Sequence, residues 1–379
     1  MRVGLAWDAV GPVDGGRGLL ELARSAGMDT FLVFDHLINV FPRQAWDSDF
    51  SYLAEVLPSP DLSLEFATVL GNFAASAGPV RLAVGVTDPH RRHPAVLAQT
   101  ALTLAQFTER PPVIGIGAGA QENLQPYGIR HDRKVGRVEE ALQILRMFFD
   151  TEGPYEFKGE FFALDQAVMD LRAPGGGVPE IWVGGSGPRM TALAGRYGDG
   201  WIPSDLMRPA EYARRLAVVR EAAVAAGRDP GRIVAAGGIP VIVAETDEAA
   251  QELCKAKAIS FLALHAGAAQ WREYGVAHPF GEDYQGLSHL LPHRLTREEV
   301  ERALAVVPDE LVTDLAIVGS RQTVLDRIGE LVDAGLQLPV LIPASALASP
   351  EAAGYTVESL VWLAGELGSD SFTAGRVTA

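Results

Sequence analysis

The chain has 379 residues, 48% of them hydrophobic and 21% charged, with Lys+Arg 32 against Asp+Glu 48 for a net charge of −16. That composition supports a packed core and not disorder, and the acidic balance argues against a nucleic-acid partner. A single cysteine, Cys254, excludes an internal disulfide and a cysteine-based zinc or iron–sulfur centre. The first residues, broken by Asp8, Pro12 and Asp14, do not read as a signal peptide. No run of about 18 apolar residues predicts a membrane span, so a cytoplasmic enzyme is the expectation.

Short apolar runs alternate with amphipathic stretches, the pattern of parallel strands joined by crossover helices. Val3–Trp7 is the first strand, a helix over Gly18–Ala26 closes at Gly27, and Thr30–Phe34 is a second buried strand. Residues 38–60, rich in aromatics and prolines, read as a loop above the barrel, and Asp61 is expected to cap a helix running to Ala77. Arg81–Val86 is the third strand, followed by a helix over Pro94–Phe107 with proline at its first position. Val113–Gly117 is the fourth strand, Lys134–Phe149 a helix, and Tyr155–Leu164 a surface hairpin. Strands follow at Glu180–Val183, Gly200–Pro203, Ile233–Ala244 and Pro339–Ile342. Helices are expected at Arg189–Arg196, Pro209–Ala226, Asp247–Leu264, Arg321–Ala334 and Pro350–Leu367. The alternation is interrupted over residues 266–310, and the small, polar tail after Gly368 is expected to fray. Eight strands separated by helices predict an α/β fold, a (β/α)₈ TIM barrel, rather than an open doubly wound sheet. It forms one domain over residues 1–379, with insertions near 38–60, 150–170 and 266–310.

In such a barrel the reactive groups stand where strands end at the C-terminal rim. Four clusters qualify: Phe34-Asp35-His36, Gly85-Val86-Thr87-Asp88-Pro89, the Gly115–Asn123 stretch, and Gly184-Gly185-Ser186-Gly187-Pro188. His36 could exchange a proton near neutral pH or simply pack behind a capping Asp35. The Gly85-Val86 step could hold a bulge, a cis peptide or an ordinary strand end. Gly184–Gly187 ahead of a helix reads equally as an anion cradle and as a tight turn. Arg130, Arg133, Lys134 and Arg137 form a basic run that either steers an anion or solvates a helix start. His90 and His93 lack a third ligand at a persuasive spacing, so no metal is expected.

Read together, these motifs in this order and spacing resemble the luciferase-like flavin and deazaflavin oxidoreductases. The stretches carrying the resemblance are Phe34-Asp35-His36 and residues 85–107, 115–129, 181–203 and 275–286. Within that superfamily the chain is similar to the branch that uses coenzyme F420, which includes methylenetetrahydromethanopterin reductases, deazaflavin-dependent glucose-6-phosphate dehydrogenases and phthiodiolone ketoreductase-like enzymes. The resemblance implies a bacterial luciferase-like barrel, a homodimer, and a cofactor at the C-terminal rim. It implies a cis Gly85–Val86 peptide forming a bulge behind the deazaflavin ring, with Asp35 and His36 lining the ring pocket. Thr87, Gly119 and Asn123 would contact the cofactor, and Gly184, Gly185, Ser186 and Gly187 would hold its phosphate. His36 is the first candidate proton donor, with Asp35 beside it and Glu122 or solvent as substitutes. The sugar-phosphate dehydrogenases carry a glutamate where this chain has Ala120, so glucose 6-phosphate is not the expected substrate.

The expected activity is hydride transfer between F420 and a small organic molecule, a carbonyl, an alcohol or a conjugated double bond. An FMN-dependent monooxygenase and a non-catalytic flavin-binding barrel are the alternatives. Phe41, Trp46, Phe50, Tyr52, Trp271 and Tyr284 in the insertions suggest an apolar guest, or pack the insertions onto the barrel.

Overall fold

The structure is a computed structural model that describes residues 1–370 and 372; most of the tail expected to fray lies outside the described residues. The strands are β1 (Gly4–Trp7), β2 (Thr30–Val33), β3 (Arg81–Thr87), β4 (Val113–Ile116), β5 (Tyr155–Lys158), β6 (Ala163–Ala167), β7 (Glu180–Gly184), β8 (Gly200–Ile202), β9 (Val234–Ala244), β10 (Ile317–Ser320) and β11 (Leu338–Ile342). All eight expected barrel strands form. They pair in parallel in the order β1-β2-β3-β4-β7-β8-β9-β11, and β11 closes on β1 through Gly4↔Val340 and Leu5↔Leu341. β5 and β6 are the antiparallel surface hairpin.

Inward-facing Leu32, Ala83, Val113, Trp182, Ala236 and Leu338 fill the barrel interior, so it is a packed core and not a pore. Outward-facing strand residues such as Leu5, Phe31, Leu82, Ile114 and Ile181 pack against the surrounding helices in a second, larger cluster. A third cluster joins Phe41 and Phe50 of the 38–60 segment to Phe261 and Leu264, just ahead of the 266–310 insertion, and to Trp271 within it, with both Phe41 and Phe50 against the Phe261 ring. Lys257 Nζ reaches Asp49 at 2.5 Å, and Arg297 pairs with Asp47. The two insertions are therefore one cap with its own apolar core.

Three local expectations need correction. The helix expected to begin at Asp61 begins at Phe66, capped by Glu65, whose carboxylate accepts from Thr68 N at 2.7 Å. Asp61 lies in a turn, and residues 62–64 pair with residues 9–11, where Gly11 N donates to Leu62 O and Leu64 N to Ala9 O around an antiparallel Val10–Ser63 bridge. The Asp61 carboxylate turns to Asn39 N, 3.1 Å away. The stretch Asp247–Leu264 is not one helix but Asp247–Leu253, Lys257–Ser260 and a 3₁₀ segment Phe261–His265. Ala256 breaks it with an extended backbone (φ −58, ψ 130), which turns Ala258, Ile259 and Phe261 into the cap core. Finally, β10 was not expected. It pairs with the outer half of β9, Val241 to Ala244, beyond the residues of β9 that pair with β11.

Candidate active site

The C-terminal rim is built around β3. Between Val84↔Ile114 and Thr87↔Ile116, two residues of β3 face one of β4, so Gly85 and Val86 form a β-bulge. The Gly85–Val86 peptide is cis, as the resemblance implies. Glycines make the bulge possible. A Cβ at Gly85 would lie 2.4 Å from Leu32 Cδ1, one at Gly117 2.5 Å from Val86 Cγ2, and one at Gly184 2.7 Å from Val86 Cγ1. Val86 therefore occupies space that side chains on β7 and after β4 would need.

Beside the bulge, residues 86 positions apart in sequence meet. The Asn123 carboxamide oxygen accepts from Leu37 N at 2.5 Å and Ile38 N at 3.1 Å. That fixes the amide's orientation, because only the NH₂ end can then face the other way. The NH₂ group donates to Glu122 Oε1 at 3.0 Å and lies 3.2 Å from His36 Nδ1. His36 Nδ1 is thus the acceptor and its proton sits on Nε2. Burial pushes the His36 pKa down, against the opposing pull of Asp8 and Asp35, which agrees with a neutral ring. Asp8 ends β1 and receives Asn39 Nδ2 at 2.9 Å; burial raises its pKa.

Glu122 is 2% exposed, and its Oε2 is shielded from solvent with no partner among the described residues. Burial pushes its pKa to about 7, only partly offset by Lys134 and Arg91. Its Oε1 stands 3.9 Å from His36 Nδ1. The result is a carboxyl group that gains and loses a proton near neutrality within the barrel mouth.

Asp35 has a different setting. Its carboxylate takes Arg91 Nη2 at 2.8 Å and Arg92 Nη1 at 2.6 Å, while Arg91 Nε also holds Asp88 at 2.6 Å. Arg92 adds Thr87 Oγ1 at 3.3 Å and Glu65 at 3.0 Å. This buried lattice ties the ends of β2 and β3 together and sets the backbone from which His36 projects. Gly119 has φ +79, with its would-be Cβ 2.9 Å from Leu124 and 3.2 Å from His90, so glycine is required there.

On the far side of Val86, Gly184–Gly187 lead into a helix over Pro188–Tyr197 whose N-cap, Gly187, offers no side-chain cap. The first-turn N–H groups of such a helix have no intrahelical acceptor and favour an anion. Gly185 takes φ +135 and donates to Ile202 O. Ser186 Oγ lies 3.0 Å from Ser204 Oγ and accepts from Ser204 N, and Arg215 holds the Ser186 carbonyl from behind.

The structure brings Asp35, His36, Val86, Thr87, Glu122 and Asn123 to one side of the mouth and the 184–187 turn to another. The basic run does not converge there as a unit. Arg130 pairs with Asp132, Arg133 with Glu160, and Arg137 lies 4.8 Å over the Phe161 ring, whereas Lys134 reaches Gly119 O at 3.5 Å. Asp8, Asn39, Arg91, Arg92 and His265 were not picked out from the sequence. Applying the rim rule to β1 as well would have found Asp8; His265, pushed to about 4 by burial, sits in the cap, where no strand end points to it.

A family model described as luciferase-like monooxygenase matches residues 6–338. The phthiodiolone/phenolphthiodiolone dimycocerosates ketoreductase of Mycobacterium tuberculosis is 36% identical over 332 residues, 87% of either chain. The F420-dependent hydroxymycolic acid dehydrogenase of the same organism is 33% identical over 219 residues, 55% of this chain and 54% of that one. Among solved structures, the coenzyme F420 dependent tetrahydromethanopterin reductase from Methanopyrus kandleri superposes with a TM-score of 0.73 at 18% identity, covering 95% of this chain and 97% of the other. The closed barrel is the fold, and the similarity to a ketoreductase and to a dehydrogenase makes the chain an oxidoreductase. The chain belongs to the luciferase-like monooxygenase family.

Proposed function

We propose that the chain is a coenzyme F420-dependent oxidoreductase that moves a hydride between the deazaflavin and a small organic substrate, a carbonyl, an alcohol or a conjugated double bond. The observation that carries this reading is the Glu122–Asn123–His36 set, a neutral imidazole and a carboxyl with pKa about 7 joined by one amide beside the Val86 bulge. The identity to a ketoreductase and to an F420-dependent dehydrogenase supports it.

The residues present fit such a cofactor. A Cβ at Gly187 would meet nothing within 4 Å, so there is open space beside the uncapped helix start that follows it, which suits a phosphate. When bound, the deazaflavin supplies or accepts the hydride. The chain does the rest. Of the 184–187 turn, Ser186 and Gly187 would offer main-chain N–H groups to the phosphate, because Gly185 N–H is already given to Ile202 O, and Thr87, Gly119 and the Val86 bulge would border the ring. Glu122 holds the proton that a reduced carbonyl oxygen takes up, and His36 Nε2–H orients that oxygen. Asn123 keeps both groups in register, and Asp35 acts through the arginine lattice as a positioning residue. The functional unit in this reading is a homodimer acting on a small molecule.

Equilibrium titration of the purified chain with oxidised F420 and with FMN, followed by fluorescence, tests the cofactor. Tight F420 binding with weak FMN binding is expected; tight FMN binding without F420 binding makes the chain a flavin monooxygenase instead.

A further inference from the structure

A cavity of about 640 Å³ opens between the loop after β4 and the cap, a volume suited to an organic ligand of drug size rather than to a long-chain lipid. Its wall is part apolar, from Phe280, Leu290, Leu291 and Leu295, and part polar. What the cavity can recognise depends on which of the polar groups are still free.

Three of them are already committed. Gln121 Nε2 donates to Gln125 Oε1 at 2.8 Å. Glu299 closes the capping box of the helix Arg297–Leu304, its Oε2 accepting from Thr296 N at 2.8 Å and from Thr296 Oγ1 at 2.9 Å, so its charge is met by two donors. The Tyr284 hydroxyl is shielded from solvent, so its ring and not its oxygen meets the space. That ring is a fixed wall, stacked on His278 with centroids 4.2 Å apart and tilted against Phe280 at 5.5 Å.

Arg294 and His289 remain, both exposed at the cavity. The His289 ring meets Tyr284 edge-on at 6.0 Å. Arg294 is set by a 3₁₀ turn over Pro292–Arg294, in which its N–H donates to Leu291 O at 3.0 Å. Its guanidinium has no carboxylate within ion-pair distance among the described residues, whereas Arg91 and Arg92 are held by Asp35, and Arg297 by Asp47. A guanidinium offers a planar fork of donors that matches a carboxylate. In a chain of net charge −16, a free fork beside a leucine wall is a local exception that favours an anion with an apolar body.

We propose that this cavity binds a drug-sized organic acid, the carboxylate on Arg294 with His289 beside it, and the aryl or short alkyl body along Phe280, Leu291 and Leu295. Gln121 immediately precedes Glu122, so the bound acid lies next to the proton-exchanging set. As a binding site the cavity stands by itself; as a substrate site it rests on the oxidoreductase reading above and names the group by which the substrate is held away from its reacting carbon.

The test is calorimetric titration of the full chain, without cofactor, with 4-phenylbutyrate and with its neutral counterpart 4-phenylbutan-1-ol, for the parent, Arg294→Gln and Leu291→Gln. The parent is expected to hold the acid roughly three- to tenfold tighter than the alcohol. Added salt is expected to erode that preference and leave the alcohol unaffected. Arg294→Gln, a change at an exposed side chain, is expected to abolish the preference without altering the alcohol's affinity. Leu291→Gln is expected to weaken both guests alike, which places them in this cavity. Equal affinity for acid and alcohol, a preference that survives Arg294→Gln, or affinities indifferent to Leu291→Gln overturns the proposal. The cofactor takes no part in these titrations, so their outcome and that of the F420 titration are read independently.

Discussion

Replacing Glu122 by Gln removes a titration and little else. The glutamine oxygen can still accept from Asn123 Nδ2, and the side chain's volume is nearly kept. Glu122 rises from an ordinary 4.5 to about 7 on folding. Below pH 4.5 both folded and unfolded chains carry this proton, and the group costs nothing. As pH rises from 4.5 through about 7, the unfolded chain ionises while the folded chain must keep its proton, so stability is lost across that window and the loss levels off above it. At 1.36 kcal/mol per unit, the parent loses roughly 2–3 kcal/mol between pH 5 and pH 8 through Glu122 alone. Urea unfolding of the parent and Glu122→Gln at both pH values isolates this amount, because every other titration is common to the pair. The variant is expected to gain on the parent by that margin at pH 8. Parallel pH profiles would refute the claim that burial holds Glu122 protonated near neutrality.

Asn123→Ala strands the Leu37 and Ile38 N–H groups and releases His36; an unmet buried donor costs about 1–3 kcal/mol, and denaturant midpoints are expected to fall accordingly. Arg91→Ala leaves Asp35 and Asp88 beside an incomplete lattice, and breaking such a buried pair costs about 3–5 kcal/mol, measurable by the same unfolding. Gly184→Ala sets a Cβ 2.7 Å from Val86 Cγ1; overpacking of about 1–3 kcal/mol and weakened cofactor binding are expected, read by unfolding and by F420 titration.

The barrel was legible because parallel strands buried on both faces read as short, continuous apolar runs such as TFLV and GLAW, separated by amphipathic helices. β10 escaped because four residues, IVGS, pair only with the outer end of a strand already assigned. The break at Ala256 escaped because the residues on either side of it carry an unbroken helical pattern, and only the cap core decides which way they turn. At the site, the rim rule located His36, Val86, Asn123 and the 184–187 turn. It could not place Glu122 against His36, since that contact depends on how the loop after β4 folds back over the end of β2. The pairing of Asp35 with Arg91 and Arg92 was equally invisible, because a run of arginines in a loop reads as solvated until its acidic partners are positioned.

Soaking oxidised F420 into crystals of the chain tests the central claim most directly. The fused rings are expected at the barrel mouth against Val86, the phosphate on the main-chain amides after Gly184, and Glu122 and His36 facing the open side of the ring. Density for the cofactor at any other place, or a phosphate held away from the 184–187 turn, would contradict it.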